Sequence, residues 1–336
     1  MLAGALVLIR APAPFVERWY SDGLYPRIAH VVYALVDPLP FCLGDVLAVV
    51  LAALAALALG RAVRAPGARL RILRRAIAAV AIVAIWFEVS WGLGYGRVPL
   101  GEKLVVDDAR TNERSVDAFA DHVVAELSAA AGPAHRADDA GELGARLAPT
   151  FAATIARLGD RGRFPPQRIK PTIFQSFMER SATSGFTDPW THEINVDASA
   201  TRYERPAYYA HEWAHASGFN DEAEANYIAV IACRTSRDPV LAYSGWLLTF
   251  FNLPGNVRLS RPMGRLAYDD VMAIRRRVLH QLDRHVAAAQ HVAYDAYLHS
   301  NGVTAGYASY DLFVRWLVGG SFDRSGLPRV RAASDG

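Results

Sequence analysis

The residues His211, Glu212 and His215 form an HExxH motif, a spacing that places both histidines on one face of a helix. Two imidazoles presented in this way can bind one Zn²⁺ ion, while the glutamate between them reaches a water molecule on the metal. Pro206 suits the first turn of such a helix, and Gly218 marks its end. The motif predicts a zinc site with Glu212 as the catalytic base; the alternative is two surface histidines beside an acid.

A catalytic zinc ion needs a third protein ligand, and three acids follow the motif: Asp221, Glu222 and Glu224. On one helix Glu222 and Glu224 point about 200° apart, so both cannot reach the same ion. The helix face of Glu222 continues through small residues, which permit close approach to the motif helix, whereas that of Glu224 continues through Tyr227 and Ile228. Asp221 suits the N-cap. We predict Glu222 as the third ligand, with Asp221 and Glu224 as alternatives.

This second helix is similar to segments of two groups of zinc peptidases. The sequence HxxGxxD that ends at Asp221 resembles the short metzincin spacing, with aspartate in place of the final histidine. Glu222 and Asn226 form E-x-x-x-N, which is similar to the E-x-x-x-D helix of gluzincins. The acid of that helix supports a ligand histidine, so the resemblance implies the same supporting role for Asn226.

Three further side chains are candidates for contacts with a substrate or a transition state. His192 and Glu193 lie in a stretch predicted as a short strand, Thr191–Val196, whose edge could pair with an extended peptide. The alternative is that both residues anchor a loop. Tyr310 could donate its phenol hydroxyl to a developing oxyanion, or it could pack as an ordinary aromatic residue.

Two apolar segments in the first hundred residues predict a membrane-spanning hairpin. Residues 41–60 and 76–96 each carry one charge and approach the roughly twenty residues that a span requires; the alternative is two buried core helices. Six arginines and no acids lie between them, at 61–75, and such positive loops stay in the cytoplasm. Residues 1–97 are therefore expected to form a membrane anchor, with a possible partial anchor at 1–9.

The remaining chain is expected to be an extracytoplasmic domain at 98–322, followed by a flexible tail at 323–336. We expect the domain to be mainly α, with a small sheet, in a zincin-like α+β arrangement. The uncharged run 240–253 has only fourteen residues, so it fits a core helix or a helix lying on the membrane better than a span. Apolar residues that recur every three or four positions predict one long helix from Val271 to Tyr297.

The composition is that of a folded protein with an apolar bias. Of 336 residues, 52% are hydrophobic and 21% are charged, which excludes a disordered chain. The 36 basic and 33 acidic residues give a formal net charge of +3, too balanced to indicate nucleic-acid binding. Two cysteines, one within an apolar run, exclude a disulfide framework.

The sequence also resembles a known family, the membrane-anchored proteins called "domain of unknown function 3810". Its signature is similar to HEWAHASGFNDEAEAN here. Further matching segments are FVERWYSDGLYP at 15–26, LPFCLGD at 39–45, RIKPTIFQSFM at 168–178, GFTDPWTHEINVD at 185–197 and YLHSNGVTAGYASY at 297–310. The resemblance covers nearly the whole chain and implies a zincin-like external domain behind transmembrane helices, but no substrate.

Together these patterns predict a multi-pass, membrane-anchored zinc metallopeptidase with one Zn²⁺ per chain. Its expected partners are the lipid bilayer and a peptide or protein substrate of unknown identity. One alternative is a non-catalytic membrane protein whose zinc ion only braces the fold, which an intact Glu212 disfavours because a structural site needs no base. The other is a zinc hydrolase of a lipid or cell-wall amide, which the sequence does not separate from a peptidase.

Overall fold

The computed structural model describes residues 11–160, 162, 164–255, 261–303 and 312–331. Within them the chain is mainly helical with one small sheet, as the sequence predicts. The main helices are α1 (Tyr25–Val36), α2 (Leu43–Arg64), α3 (Arg69–Ser90), α4 (Glu113–Arg136), α5 (Leu143–Arg157), α6 (Gln175–Ser181), α7 (Arg205–Ala216), α8 (Glu222–Arg234), α9 (Pro239–Asn252), α10 (Arg265–Gln281), α11 (Arg284–Ser300) and α12 (Leu312–Gly319). Shorter helical segments are Ala13–Phe15, a π-helix at Val16–Leu24, 3₁₀ turns at Pro66–Ala68, Gly92–Gly96 and Asp108–Arg110, and one turn at Leu100–Lys103.

The sheet consists of two antiparallel strands of three residues each. β1 (Gly185–Thr187) pairs with β2 (Ile194–Val196), and Gly185 lies opposite Val196. Ile169 makes a parallel bridge to β2. Among the described residues no strand pairs with the second edge of β1.

The core of the protein forms around α8, in which every residue except the last is buried. This helix packs against α5, α7, α9 and α12. Both α7 and α8 contain buried alanines, among them Ala214 and Ala225, and such small side chains let two helices approach closely. α9 is also largely buried, so the uncharged run predicted at 240–253 is a core helix.

The segment before the apolar helices belongs to this core, although it lies within the predicted membrane anchor, 1–97. The buried side chains of α1, including Tyr25, Ala29 and Tyr33, recur at helical spacing and join the main hydrophobic core. The hydroxyls of Tyr25 and Tyr33 both donate to the Ala216 carbonyl at the end of α7, the former at 2.9 Å. Residues 11–36 therefore help to position the motif helix.

The two predicted spans correspond to α2 and α3. By length and composition α2 is able to cross a membrane, and its side chains in the apolar run are exposed. The second predicted span, 76–96, is corrected: α3 ends at Ser90, and the Gly92–Gly96 turn follows. Residues 66–90 and 92–103 qualify as one further span only if they are taken together across a bend of 46°. The glycines of the turn are required for packing, since a Cβ at Gly94 would lie 2.8 Å from the Asn220 side chain.

Two predictions for the C-terminal part of the chain are also corrected. The helix predicted from 271 to 297 is broken after Gln281, because Asp283 caps a new helix, α11, by accepting hydrogen bonds from its first backbone N–H groups. In the tail predicted to be flexible from residue 323, the described residues 323–331 pair with the body of the domain. The Val105 N–H donates to the Arg329 carbonyl at 3.0 Å, and the Arg331 N–H donates to the Lys103 carbonyl at 2.8 Å.

Candidate metal centre

Helices α7 and α8 bring His211, His215 and Glu222 together. The Nε2 atoms of the histidines are 3.1 Å apart, and Glu222 Oε2 lies 3.1 Å from His211 Nε2 and 3.5 Å from His215 Nε2. A tetrahedral zinc ion with bonds of about 2.0–2.1 Å separates its ligand atoms by roughly 3.3 Å. Two imidazole nitrogens and one carboxylate oxygen at these separations fit a catalytic zinc site.

The turn between α7 and α8 aligns these ligands. Gly218 has a φ of 87°, in the left-handed region, and a Cβ there would lie 2.9 Å from the Tyr25 ring. The chain reverses at this glycine, and the Phe219 carbonyl then lies 2.8 Å from His215 Nδ1. An Nδ1–H donated to that carbonyl leaves Nε2 free to bind a metal.

Tyr294 of α11 fixes the orientation of Glu222. Its hydroxyl donates to Glu222 Oε1, while Oε2 faces the two histidines. Burial alone would raise the pKa of Glu222, but His215 and His211 hold it well below the ordinary value. Burial would lower the pKa of His215, but Glu222 raises it to about 9. These opposite shifts are those of an ion pair between Glu222 and His215, so metal binding would have to release the proton from His215.

Glu212 lies beside this cluster and is buried. Its Oε2 accepts a hydrogen bond from the Thr187 hydroxyl of β1 at 2.9 Å. Gly185 of the same strand leaves room for the carboxylate, because a Cβ there would lie 2.7 Å from Glu212 Oε1. Burial raises the pKa of Glu212, against the effect of the two histidines. A carboxylate with a raised pKa can both accept and return a proton.

The cluster lies in a cleft of about 810 Å³. Its walls come from the end of α3, the following turn, α6, β1, α7, α8, α9 and α11. His211, Glu212, His215 and Glu222 all line the cleft. The other lining residues include Phe87, Trp91, Tyr95, Phe174, Phe177, Gly185, Phe186, Thr187, Trp190, Asn226, Tyr294 and Tyr297. A cleft of this size can admit several residues of an extended peptide.

The other acids of α8 lie away from the histidines. Asp221 is the N-cap, as the sequence predicts, and accepts hydrogen bonds from the backbone N–H groups of Ala223 and Glu224. The side chain of Glu224 accepts one from the Leu100 N–H at 2.6 Å, and burial raises its pKa to about 7. Asn226 lines the cleft near Glu222, but no hydrogen bond joins it to either histidine among the described residues.

His192 and Glu193 hold the apolar helices and do not reach the cleft. Glu193 accepts hydrogen bonds from the first N–H groups of α2, Leu43 at 3.0 Å and Gly44 at 2.9 Å, and pairs with Lys170 at 2.9 Å. His192 Nε2 lies 3.0 Å from the Ser90 carbonyl at the end of α3, and burial lowers the pKa of His192 to about 4. These contacts favour the loop-anchoring interpretation of this pair.

Sequence reasoning missed the partners that orient the site. Thr187 and Tyr294 contact Glu212 and Glu222, and Trp91 packs its ring 5.9 Å from that of His215. Each lies at least twenty-five residues from its partner, so no local spacing relates them. The predicted substrate contact Tyr310 lies outside the described residues.

A family model described as "Protein of unknown function (DUF3810)" matches residues 20–318. The chain belongs to the DUF3810 family. The matched range contains both apolar helices and the cluster of His211, His215 and Glu222, so these features lie within the family's extent. No curated protein and no solved structure matches the chain.

Proposed function

We propose that this DUF3810 protein is a zinc-dependent metallopeptidase. The observation that carries the proposal is the convergence of three ligand atoms within 4.8 Å of one another, beside a buried glutamate, in an open cleft. The chemistry that zinc supplies in such a site is that of a Lewis acid, which polarises a carbonyl and acidifies water. One ion per chain is expected, held by His211, His215 and Glu222.

Glu212 is assigned the role of general base and then general acid. Its carboxylate accepts a proton from the attacking water as the new C–O bond forms, and returns it to the amine nitrogen as the C–N bond breaks. Thr187 holds the carboxylate in place through its hydroxyl, and the buried surroundings favour proton transfer in both directions. Water and peptide thus yield a carboxylic acid and an amine.

The edge of β1 supports a peptide substrate. The edge opposite β2 has no strand partner among the described residues, and Gly185, Phe186 and Thr187 line the cleft. An unpaired strand edge recognises extended polypeptide through backbone hydrogen bonds. This edge, rather than the predicted 192–193 stretch, is where we expect substrate to pair.

We further propose that α2 and α3 form a hairpin across a membrane, with the metal centre on the extracytoplasmic side. Both helices are attached to the domain at the ends away from the loop: Glu193 binds the start of α2, and His192 binds the end of α3. The arginines at 61–75 lie at the opposite ends, and a positive loop favours the cytoplasmic side.

The alternative functions draw less support from the site. A structural zinc ion usually has four protein ligands, whereas the cluster offers three beside an open cleft. Hydrolysis of a lipid or cell-wall amide would use the same chemistry but would leave the free edge of β1 without a role.

The proposal is tested with the full-length protein in detergent, by measuring its metal content and its hydrolysis of an unbiased peptide pool. We expect about one zinc per chain, and cleavage that a chelator abolishes and added zinc restores. Zinc without cleavage of any peptide would contradict the proposal and favour the structural or amide-hydrolase alternatives.

A further inference from the structure

The metal centre lies directly at the end of an apolar helix. α3 ends at Ser90, and the next residue, Trp91, packs its ring 5.9 Å from that of the zinc ligand His215. Phe87, in the last turn of α3, lines the cleft that contains the ligands. If α3 crosses a bilayer, the depth of its end fixes the depth of the cleft.

The loops that border the cleft are fixed to the same ends of α2 and α3. The Ile173 N–H donates to Asp45, in the first turn of α2, at 2.8 Å. On α3, the indole of Trp86 donates to the Trp190 carbonyl at 3.0 Å, and the Ser90 hydroxyl donates to the Pro189 carbonyl at 2.9 Å. These hydrogen bonds leave the two loops little freedom to move away from the start of α2 and the end of α3.

These two loops and the start of α6 carry exposed apolar side chains, Ile173, Phe174, Phe177 and Trp190, which together are called the apolar rim. Ile173 is 63% exposed and Phe177 is 45% exposed. Phe174, Phe177 and Trp190 also line the cleft, so the rim is the border of its opening. The rim is continuous with the apolar surface of the hairpin, since the Trp190 ring lies 5.9 Å from that of Phe87. Exposed aromatic residues beside a membrane span are typical of the interfacial layer of a bilayer.

We infer that the apolar rim lies in the interfacial layer of the bilayer, so that the cleft opens at the membrane surface and takes the extended juxtamembrane segment of a membrane-anchored polypeptide. The inference rests on the proposed peptidase and hairpin and names their substrate class. A polypeptide is favoured over a lipid because β1 lines the cleft and its second edge has no strand partner among the described residues, and such an edge can pair with an extended backbone.

The position of the rim is tested without reference to activity. In the full-length protein, reconstituted into phosphatidylcholine vesicles, Ile173→Cys and Leu266→Cys are each spin-labelled; the native Cys42 and Cys233 are buried. Leu266 is the matched control, 45% exposed at the start of α10, two residues after Gly264, whose N–H donates to Ser128 of α4 at 2.9 Å. We expect the label at 173 to collide preferentially with oxygen dissolved in lipid, and the label at 266 with an aqueous nickel chelate. Equal, water-like collision rates at both sites would overturn the inference.

The substrate class is tested with one peptide sequence in two forms. The peptide is either free in solution or joined by a short linker to a transmembrane helix in the same vesicles. We expect kcat/KM to be at least about 100-fold higher for the tethered form, because tethering raises the effective concentration at the cleft. Ile173→Ser should reduce this ratio, and Leu266→Ser should leave it unchanged.

The outcomes separate this inference from the proposed function. Equal cleavage of both forms would overturn the inference and leave the metallopeptidase intact. Cleavage of neither form, with hydrolysis of a vesicle-borne N-acyl lipid instead, would overturn the peptide assignment, while the spin label would still report the depth of the rim.

Discussion

Replacing Glu222 with glutamine should remove most of the protein's affinity for zinc. Its Oε2 lies 3.1 Å and 3.5 Å from the Nε2 atoms of His211 and His215, so the change removes the third ligand and preserves the volume of the side chain. Structural zinc sites with four protein ligands bind with about 10–16 kcal/mol, or about 2.5–4 kcal/mol per ligand. At about 1.4 kcal/mol per factor of ten, losing one ligand weakens binding by about 10²–10³-fold.

The assay is a competition titration against a zinc chelator of known affinity. Glu224→Gln provides the matched control, because it makes the same change on the same helix at a buried side chain. The amide oxygen of glutamine can still accept the hydrogen bond that Glu224 accepts from the Leu100 N–H, so the replacement should cost no more than about 1 kcal/mol of stability and change the zinc affinity by less than about threefold. Asp221→Ala should cost about 1 kcal/mol through the lost cap and also retain the metal.

The pattern across the three variants is what refutes or supports the ligand assignment. Wild-type zinc affinity in Glu222→Gln would refute it. So would loss of zinc in Glu224→Gln or Asp221→Ala, provided that thermal unfolding shows the variant to be folded.

Three further predictions concern the surroundings of the site. Tyr294→Phe should weaken zinc binding by about 10–100-fold in the same titration, because Glu222 loses the hydroxyl that orients it. Glu193→Gln should lower the free energy of unfolding by about 3–5 kcal/mol at pH 7, measured by denaturant titration, because it leaves Lys170 buried without its partner. Burial alone would raise the pKa of Glu193, but the Leu43 N–H, Lys170 and the Gly44 N–H lower it overall. The stabilisation by Glu193 is therefore complete above the unfolded-state pKa of about 4.3, and it is lost as the pH falls through the folded-state pKa. A reporter fused after Gly336 should behave as extracytoplasmic, because the arginine loop stays in the cytoplasm.

Different results would contradict each of these predictions. Unchanged zinc affinity in Tyr294→Phe would mean that the hydroxyl does not orient the ligand. The same loss of stability between pH 7 and pH 3.5 in wild type and Glu193→Gln would remove the role assigned to the ionised carboxylate. A cytoplasmic reporter signal would reverse the proposed topology of the hairpin.

Local spacing was sufficient to predict that His211, His215 and Glu222 come together. His211 and His215 share a helix face, and Glu222 starts a helix whose cap, Asp221, could be recognised from its type and position. The close approach of α7 and α8 follows from their small residues, and only the five residues 217–221 separate the helices.

The residues that support the site could not be predicted in this way. Thr187 and Tyr294 reach Glu212 and Glu222 only because a strand and a distant helix pack against the motif. His192 and Glu193 were candidates for substrate contacts because they lie in a predicted strand, yet their polar groups are used by the ends of α3 and α2. Burial of polar groups depends on tertiary packing, which residue type and spacing do not determine.

The packing of α1 on the core could not be predicted for a related reason. The apolar residues of α1 have helical periodicity, which does not distinguish a helix packed on a domain from one beside a membrane. Tyr25 and Tyr33 identify the correct partner only through hydrogen bonds to Ala216, almost two hundred residues away. Similarly, Asp283 interrupts an otherwise continuous apolar pattern because its side chain caps α11.

The central claim is tested most directly by comparing hydrolysis and zinc content in Glu212→Gln and the wild type. Glu126→Gln, the same change at an exposed position on α4, is the control and should match the wild type in both measurements. The account predicts that Glu212→Gln retains about one zinc per chain and loses peptide hydrolysis by at least about 10²-fold, because an amide cannot accept the proton from water. Full hydrolysis by zinc-loaded Glu212→Gln would contradict it.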